Sequence, residues 1–166
     1  MESFKQTPII LALDLGTITG WALSVQDCPI TSGTVSFKLS RYEGGGIRYL
    51  RLLSWLDKML DVSEQIDLIY FEEVRRHSST DAAHVYGGFL SHLTAWCEKM
   101  NIPYQGVPVG TIKKHITGKG NAKKEMVIKA VKSLGYHPLD DNEADALSLL
   151  LWAKAQPFNF NQGQCE

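Results

Sequence analysis

Three apolar segments of this 166-residue chain carry acids where an acid is costly. In the run Ile9-Ile10-Leu11-Ala12-Leu13-Asp14-Leu15-Gly16, Asp14 falls on the strand face of Ile10 and Ala12. Glu72 and Glu73 end the run Leu68-Ile69-Tyr70-Phe71. Neighbours on a strand point to opposite faces, so only one of that pair can share a side with Asp14. Asp140-Asp141-Asn142-Glu143-Ala144-Asp145 leads into the apolar stretch Ala146–Ala153, and Asp145 lies a full turn inside that helix pattern. An ionised carboxylate in such surroundings needs a partner or a metal. Most of these acids also have an ordinary reading. Asp14 suits a turn cap, Glu72 and Glu73 suit solvated strand-end positions, and Asp140 with Glu143 suits an N-terminal capping pair. Asp141 and Asn142 precede Asp145 by four and three residues. The helix can therefore present one or two further oxygen ligands beside Asp145.

Carboxylates from two strand ends and a helix, brought to one point, suit Mg2+, with Mn2+ as the alternative. Magnesium takes hard oxygen ligands and keeps waters and phosphate oxygens. Two such ions about 4 Å apart activate water and stabilise the leaving oxygen of a phosphodiester. A basic stretch supplies the matching partner surface. Seven of the 17 lysines and arginines lie between Lys113 and Lys132, where the one acid is Glu125. Lys113, Lys119, Lys123 and Lys124 surround Gly118-Lys119-Gly120, with Lys114 adjoining, whereas Lys129 and Lys132 also fit a solvated helix face. The spacing is wrong for a Walker loop. Arg75 and Arg76 follow the second acidic site. A basic rim around an acidic centre suits a nuclease whose DNA binding weakens steeply with salt.

The elements that must position these groups read as α/β. Strands over Pro8–Asp14, Gly20–Gln26 and Thr31–Phe37 with short links make an antiparallel meander. Ile47–Leu60 is a helix with Ile47, Leu50, Leu53, Leu56 and Leu60 at helical spacing. Asp67–Val74 is a buried-type strand, and Asp81–Met100 a helix with Ala82, Val85, Phe89, Leu93 and Trp96 on one stripe. Gly87 and Gly88 inside that helix each cost about 1 kcal/mol against alanine. Close packing against a neighbour would offset this, which makes the helix a candidate homodimer interface. Pro103–Val107 reads as a strand and Thr111–Ile116 as a helical turn. Ala122–Leu134 reads as a helix with Val127, Ala130, Val131 and Leu134 inward, and the last helix runs from Asp141 or Asn142 to about Ala155. One domain over residues 1–156 and a polar tail over 157–166 are expected.

The formal net charge of −1 says little about partners. Cys28, Cys97 and Cys165 show no CxxC pairing, which argues against zinc and a disulfide framework. Met1–Pro8 is polar and does not read as a signal peptide. No stretch approaches the roughly 18 apolar residues of a membrane span. A reducing, cytoplasmic setting is expected.

The order and spacing of three motifs resemble the RuvC family of Holliday junction resolvases, within the ribonuclease H-like superfamily. They are Leu13-Asp14-Leu-Gly16-Thr-Ile-Thr-Gly20-Trp-Ala22, Tyr70-Phe-Glu72-Glu-Val74 and Asn142-Glu-Ala-Asp145-Ala-Leu147. The stretch Thr117–Lys124 looks most like phage or prophage versions. The resemblance implies a ribonuclease H-like fold, a five-stranded mixed sheet flanked by helices. It implies metal ligation by Asp14, Glu72 rather than Glu73, and Asp145. The family's remaining ligand, usually Asp and sometimes His, falls on Asn142, so Asn142 or Asp141 would supply it. Lys113 and Lys124 resemble residues that approach the scissile phosphate. Arg75 stands where bacterial members carry an aromatic that stacks at the junction. The implied activity is Mg-dependent cleavage of four-way DNA junctions by paired nicks from a homodimer, without a nucleotide cofactor or a membrane. Three other readings remain: a nuclease acting on RNA or RNA–DNA hybrid, a junction-binding protein weakened at Asn142, and an actin-like ATPase. The chain is too short for the last.

Overall fold

A computed structural model describes residues 7–157. Residues 158–166 of the expected polar tail, Cys165 among them, lie outside the described residues. Strands β1 (Ile10–Asp14), β2 (Ile18–Ser24) and β3 (Thr31–Ser36) form the meander. Helix α1 (Ile47–Ser63), strand β4 (Leu68–Glu73), helix α2 (Thr80–Met100) and strand β5 (Tyr104–Pro108) follow, then helices α3 (Val109–Thr117), α4 (Lys124–Ser133) and α5 (Asp141–Lys154). The sheet order is β3-β2-β1-β4-β5. Pairings within the meander are antiparallel, and β1–β4 and β4–β5 are parallel. The α/β class and the mixed five-stranded sheet are those expected from the sequence.

The central strand β1 is apolar on both faces because both faces are covered. Leu11 and Leu13, with Ile69 and Phe71 of β4, pack against Leu52 and Leu56 of α1 and Phe89, Leu93 and Trp96 of α2. Ile10 and Ala12, with Tyr70, pack on the other face against Leu147 and Leu150 of α5. Ile112 of α3 and Val127 and Val131 of α4 join this second cluster. Helix α5 thus lies between the sheet and an outer helical layer, which explains why it is apolar nearly all round. A β-carbon on Gly20 of β2 would lie 1.9 Å from the carbonyl oxygen of Asn142. Only glycine lets the start of α5 come that close to the sheet.

Several boundaries and faces differ from the sequence reading. Strand β1 starts at Ile10 and β2 spans Ile18–Ser24, because pairing of Asp14 with Gly20 draws the turn tight. Helix α1 runs on to Ser63, and the helical turn at Thr111–Ile116 is a helix over Val109–Thr117. Leu50 is 60% exposed while Leu52 is fully buried, so the inward stripe of α1 is rotated. Leu134 is 56% exposed because α4 ends at Ser133 before reaching it. A β-carbon on Gly88 would lie 2.2 Å from the Tyr49 hydroxyl. That glycine serves packing of α2 on α1 within the chain. Gly87 has open space around its β-carbon position, so the glycine pair is not a two-residue packing patch. Cys28 and Cys97 are free thiols. No helix of the described residues is long and apolar enough to cross a membrane.

Candidate functional site

Parallel pairing sets Leu13 opposite Phe71, so Asp14 and Glu72 follow as neighbours at the ends of adjacent strands. Asp14 continues the face of Ile10 and Ala12, and Glu72 continues the face of Tyr70. Both carboxylates therefore point to the α5 side, at the carboxyl ends of parallel strands where open sheets form their clefts. Glu73 points to the opposite face. Two hydrogen-bond sets fix the strand ends. The buried Thr19 hydroxyl donates to the Gly16 carbonyl at 2.8 Å and accepts from the Gly16 N–H at 3.2 Å, closing the turn after Asp14. The Tyr86 hydroxyl of α2 donates to the Glu72 carbonyl at 2.8 Å and accepts from the Val74 N–H at 3.2 Å.

Helix α5 is fixed at its start by the expected capping pair. The Asp140 carboxylate accepts from the Glu143 N–H at 2.9 Å. The buried Glu143 carboxylate accepts from the Leu139 N–H at 2.8 Å rather than from residue 140, and from the Ser32 hydroxyl of β3 at 2.7 Å. This cap aims Asp145 at the two strand ends. Burial, then repulsion from Glu72, Asp145 and Asp141, pushes the Asp14 carboxyl well above its ordinary range. Burial, then Asp145, pushes Glu72 up to about 7. Burial chiefly raises Asp145 to about 6, with Asp141 adding to it and Lys113 and Lys124 opposing. The three acids thus share one field and are short of positive charge. No group of three or more His, Cys, Asp or Glu side chains among the described residues is set to hold a metal as it stands. The backbone gathers the acids, and burial together with repulsion from neighbouring acids raises all three carboxyls. In donor type and charge the set fits a hard divalent cation. Asn142 touches Gly20 through its backbone carbonyl.

The basic residues divide into two groups. Lys113 of α3 and Lys124 of α4 act on the acids, each lowering Glu72 and Asp145. Lys124 forms an ion pair with Asp141, which raises Lys124 and lowers Asp141. Asp141 is therefore a partner of Lys124 as well as a neighbour of Asp14. Lys114, Lys119 and Lys123 are exposed. A β-carbon on Gly120 would lie 3.2 Å from the Gly110 carbonyl, so the basic loop folds back to the start of α3, beside the end of β5. Arg75 and Arg76 are exposed after β4, and the Arg75 guanidinium lies 3.4 Å from the Glu73 carboxylate.

No family model matches the chain, and no curated protein does. Solved structures do. Thermus thermophilus RuvC in complex with a Holliday junction substrate superposes with a TM-score of 0.72 at 20% identity, over 88% of this chain and 92% of that one. The fold is that of the RuvC resolvases. A second Thermus thermophilus RuvC structure gives 0.69 at 22% identity, over 87% of this chain and 92% of that one. The yeast mitochondrial Holliday junction resolvase Ydc2 gives 0.63 at 12% identity, over 92% and 82%. On this RuvC-like frame, sequence reading missed Tyr86, which pins the strand end carrying Glu72. It also missed Ser32, which anchors the cap of α5. Neither carries a local signal, because both act through residues more than ten positions away.

Proposed function

We propose that this chain is a divalent-metal-dependent endonuclease that nicks four-way DNA junctions. The observation that carries this is the pairing of Asp14 and Glu72 at adjacent parallel strand ends, with Asp145 aimed at them from α5, on a RuvC-like fold. Asp14, Glu72 and Asp145 would hold the metal, with Asn142 or Asp141 as a further oxygen donor. The metal, Mg2+ or Mn2+, supplies water activation and neutralises charge on the phosphate oxygens.

The chain's own groups do the rest. Lys124 is an ammonium at neutral pH, and its bond with Asp141 raises its pKa further. It would donate to a phosphate oxygen. Lys113 of α3, which also lowers Glu72 and Asp145, serves the same end. Lys114, Lys119, Lys123, Arg75 and Arg76 form the outer rim that tracks the DNA backbone. Paired nicks on a two-fold substrate call for two copies of the chain.

The test is cleavage of a synthetic four-way junction with Mg2+, with EDTA, and with Asp14→Asn protein. Symmetric nicks that need Mg2+ and vanish in the variant are expected. Binding without nicks in Mg2+ or Mn2+ overturns the catalytic reading and leaves a junction-binding protein. Faster cutting of RNA–DNA hybrid than of the junction overturns the substrate.

A further inference from the structure

We infer that the loop joining β3 to α1 is a second DNA-contacting element, in which Tyr42 stacks on the exposed face of a base pair at a branch point. The inference rests on the reading of the substrate as branched DNA and adds a selectivity element to it. The loop leaves the sheet at the end where β1 carries Asp14 and leads to α1 on the opposite face. β3 runs parallel to β1, and the Phe37 N–H donates to the Thr17 carbonyl at 2.7 Å, within the turn that follows Asp14.

The loop is fastened from beneath. Arg51 of α1 donates to the Lys38 carbonyl at 2.8 Å and pairs with Glu43. The Glu43 carboxylate also accepts from the Ser40 N–H at 2.7 Å. These contacts hold the Glu43 carboxyl below its ordinary range, the Ser40 N–H first and Arg51 next, so the clasp stays ionic at neutral pH. On the fastened loop, Tyr42 is 91% exposed, and the Arg41 guanidinium lies 5.8 Å from its ring centre.

A single exposed aromatic is ordinary on a protein surface. The setting is not. An apolar groove lined by Val35, Phe37, Leu50 and Trp55 opens between β3 and α1. The ring is presented outward and takes no part in that groove. Charge identifies the occupant as nucleic acid. Between Lys38 and Leu56 the one acid is Glu43, already paired with Arg51, while Lys38, Arg41 and Arg48 remain for phosphates. A ring beside cations is the combination that binds unpaired strands: the cations track the backbone and the ring stacks on a base. Bases inside a duplex are stacked on both faces. An opened branch point exposes a base-pair face that a duplex interior keeps stacked, so the ring adds affinity for branched DNA over continuous duplex.

The test measures the affinity of the full chain for a four-way junction and for linear duplex of the same sequence, in EDTA and over a range of salt. At 91% exposure Tyr42→Ala removes no core packing and loses only the contact with Arg41. It is expected to weaken junction binding about tenfold, within the range of one base–aromatic stack, and to leave duplex binding unchanged. The salt dependence stays unaltered because no phosphate contact is lost. Tyr42→Trp keeps or tightens junction binding, and Arg41→Ala lowers the salt slope by about 1. Unchanged junction affinity in Tyr42→Ala, or an equal loss on duplex, overturns the inference. Nicking is not read, so a chain that binds junctions without cutting them defeats the nuclease reading and leaves this result standing.

Discussion

At the scale of single residues, the geometry separates two glutamates that composition cannot. Glu72 shares the α5 side with Asp14, and Glu73 faces away, beside Arg75. Glu72→Gln is expected to lower junction nicking by on the order of 100-fold or more, the scale of removing a group that holds charge in the reacting centre. Glu73→Gln is expected to leave the rate within about threefold, since it removes only an exposed ion pair. Rates on one junction at saturating Mg2+ decide it, and equal loss in both variants would contradict the assignment. The same acids set a pH dependence in metal-free protein. Glu72 rises to about 7 and Asp145 to about 6, with Asp14 raised as well. A raised folded-state pKa means that the native chain holds protons the unfolded chain has released above about pH 4. Stability from these groups is therefore complete near pH 4 and is lost as pH rises through about 6 and then 7. The slope is at most about 1.4 kcal/mol per pH unit for each proton held. Glu43 and Asp141 are lowered and act with the opposite sign, their contribution being lost as pH falls. Urea unfolding in EDTA is expected to show lower stability at pH 8 than at pH 5, with a shallower decline in Glu72→Gln.

At the scale of elements, the site depends on how closely α5 approaches the sheet. Gly20→Ala would place a methyl 1.9 Å from the Asn142 carbonyl, a backbone atom that cannot swing away. The helix start must move, and overpacking of this kind costs about 1–3 kcal/mol. Because Asp145 moves with the helix, nicking is expected to fall even where the variant remains folded. Gly87→Ala is the matched control. Its methyl meets open space inside α2, so it is expected to stabilise by about 0.5–1 kcal/mol. Denaturation midpoints measure both. These elements were largely legible beforehand: buried-type apolar runs gave β1 and β4, alternation gave β3, and an all-round apolar helix that begins with acids gave α5. Two things were not legible. The stripe of α1 turned by enough to bury Leu52 and expose Leu50, because period alone admits neighbouring stripes when most positions are apolar. The adjacency of Asp14 and Glu72 depends on the register of strands 58 residues apart, which no local pattern encodes.

At the scale of the whole molecule, a chain of formal net charge −1 that binds DNA as proposed would do so through the arrangement of its cations. The fold supplies that arrangement. Strands β1, β4 and β5 are parallel, so their carboxyl ends share one edge. Helix α3 leaves from that edge, and the loop carrying Lys119 and Lys123 returns to it through the Gly110–Gly120 contact. Lys124 begins α4 there, beside Asp141. Lys129 and Lys132 lie further along α4; at 1.5 Å per residue, Lys132 is about 12 Å beyond Lys124. Position along the fold, rather than charge count, therefore predicts which lysines meet DNA. Each phosphate contact releases counterions, so the slope of log affinity against log salt counts them. Lys119→Ala and Lys123→Ala are each expected to lower that slope by about 1 and to weaken junction and duplex binding alike. Lys132→Ala is expected to leave the slope where it is, although it removes the same charge. Equal slopes for all three variants would mean that the acidic edge is not where DNA lies, and the nuclease reading would lose its geometric basis.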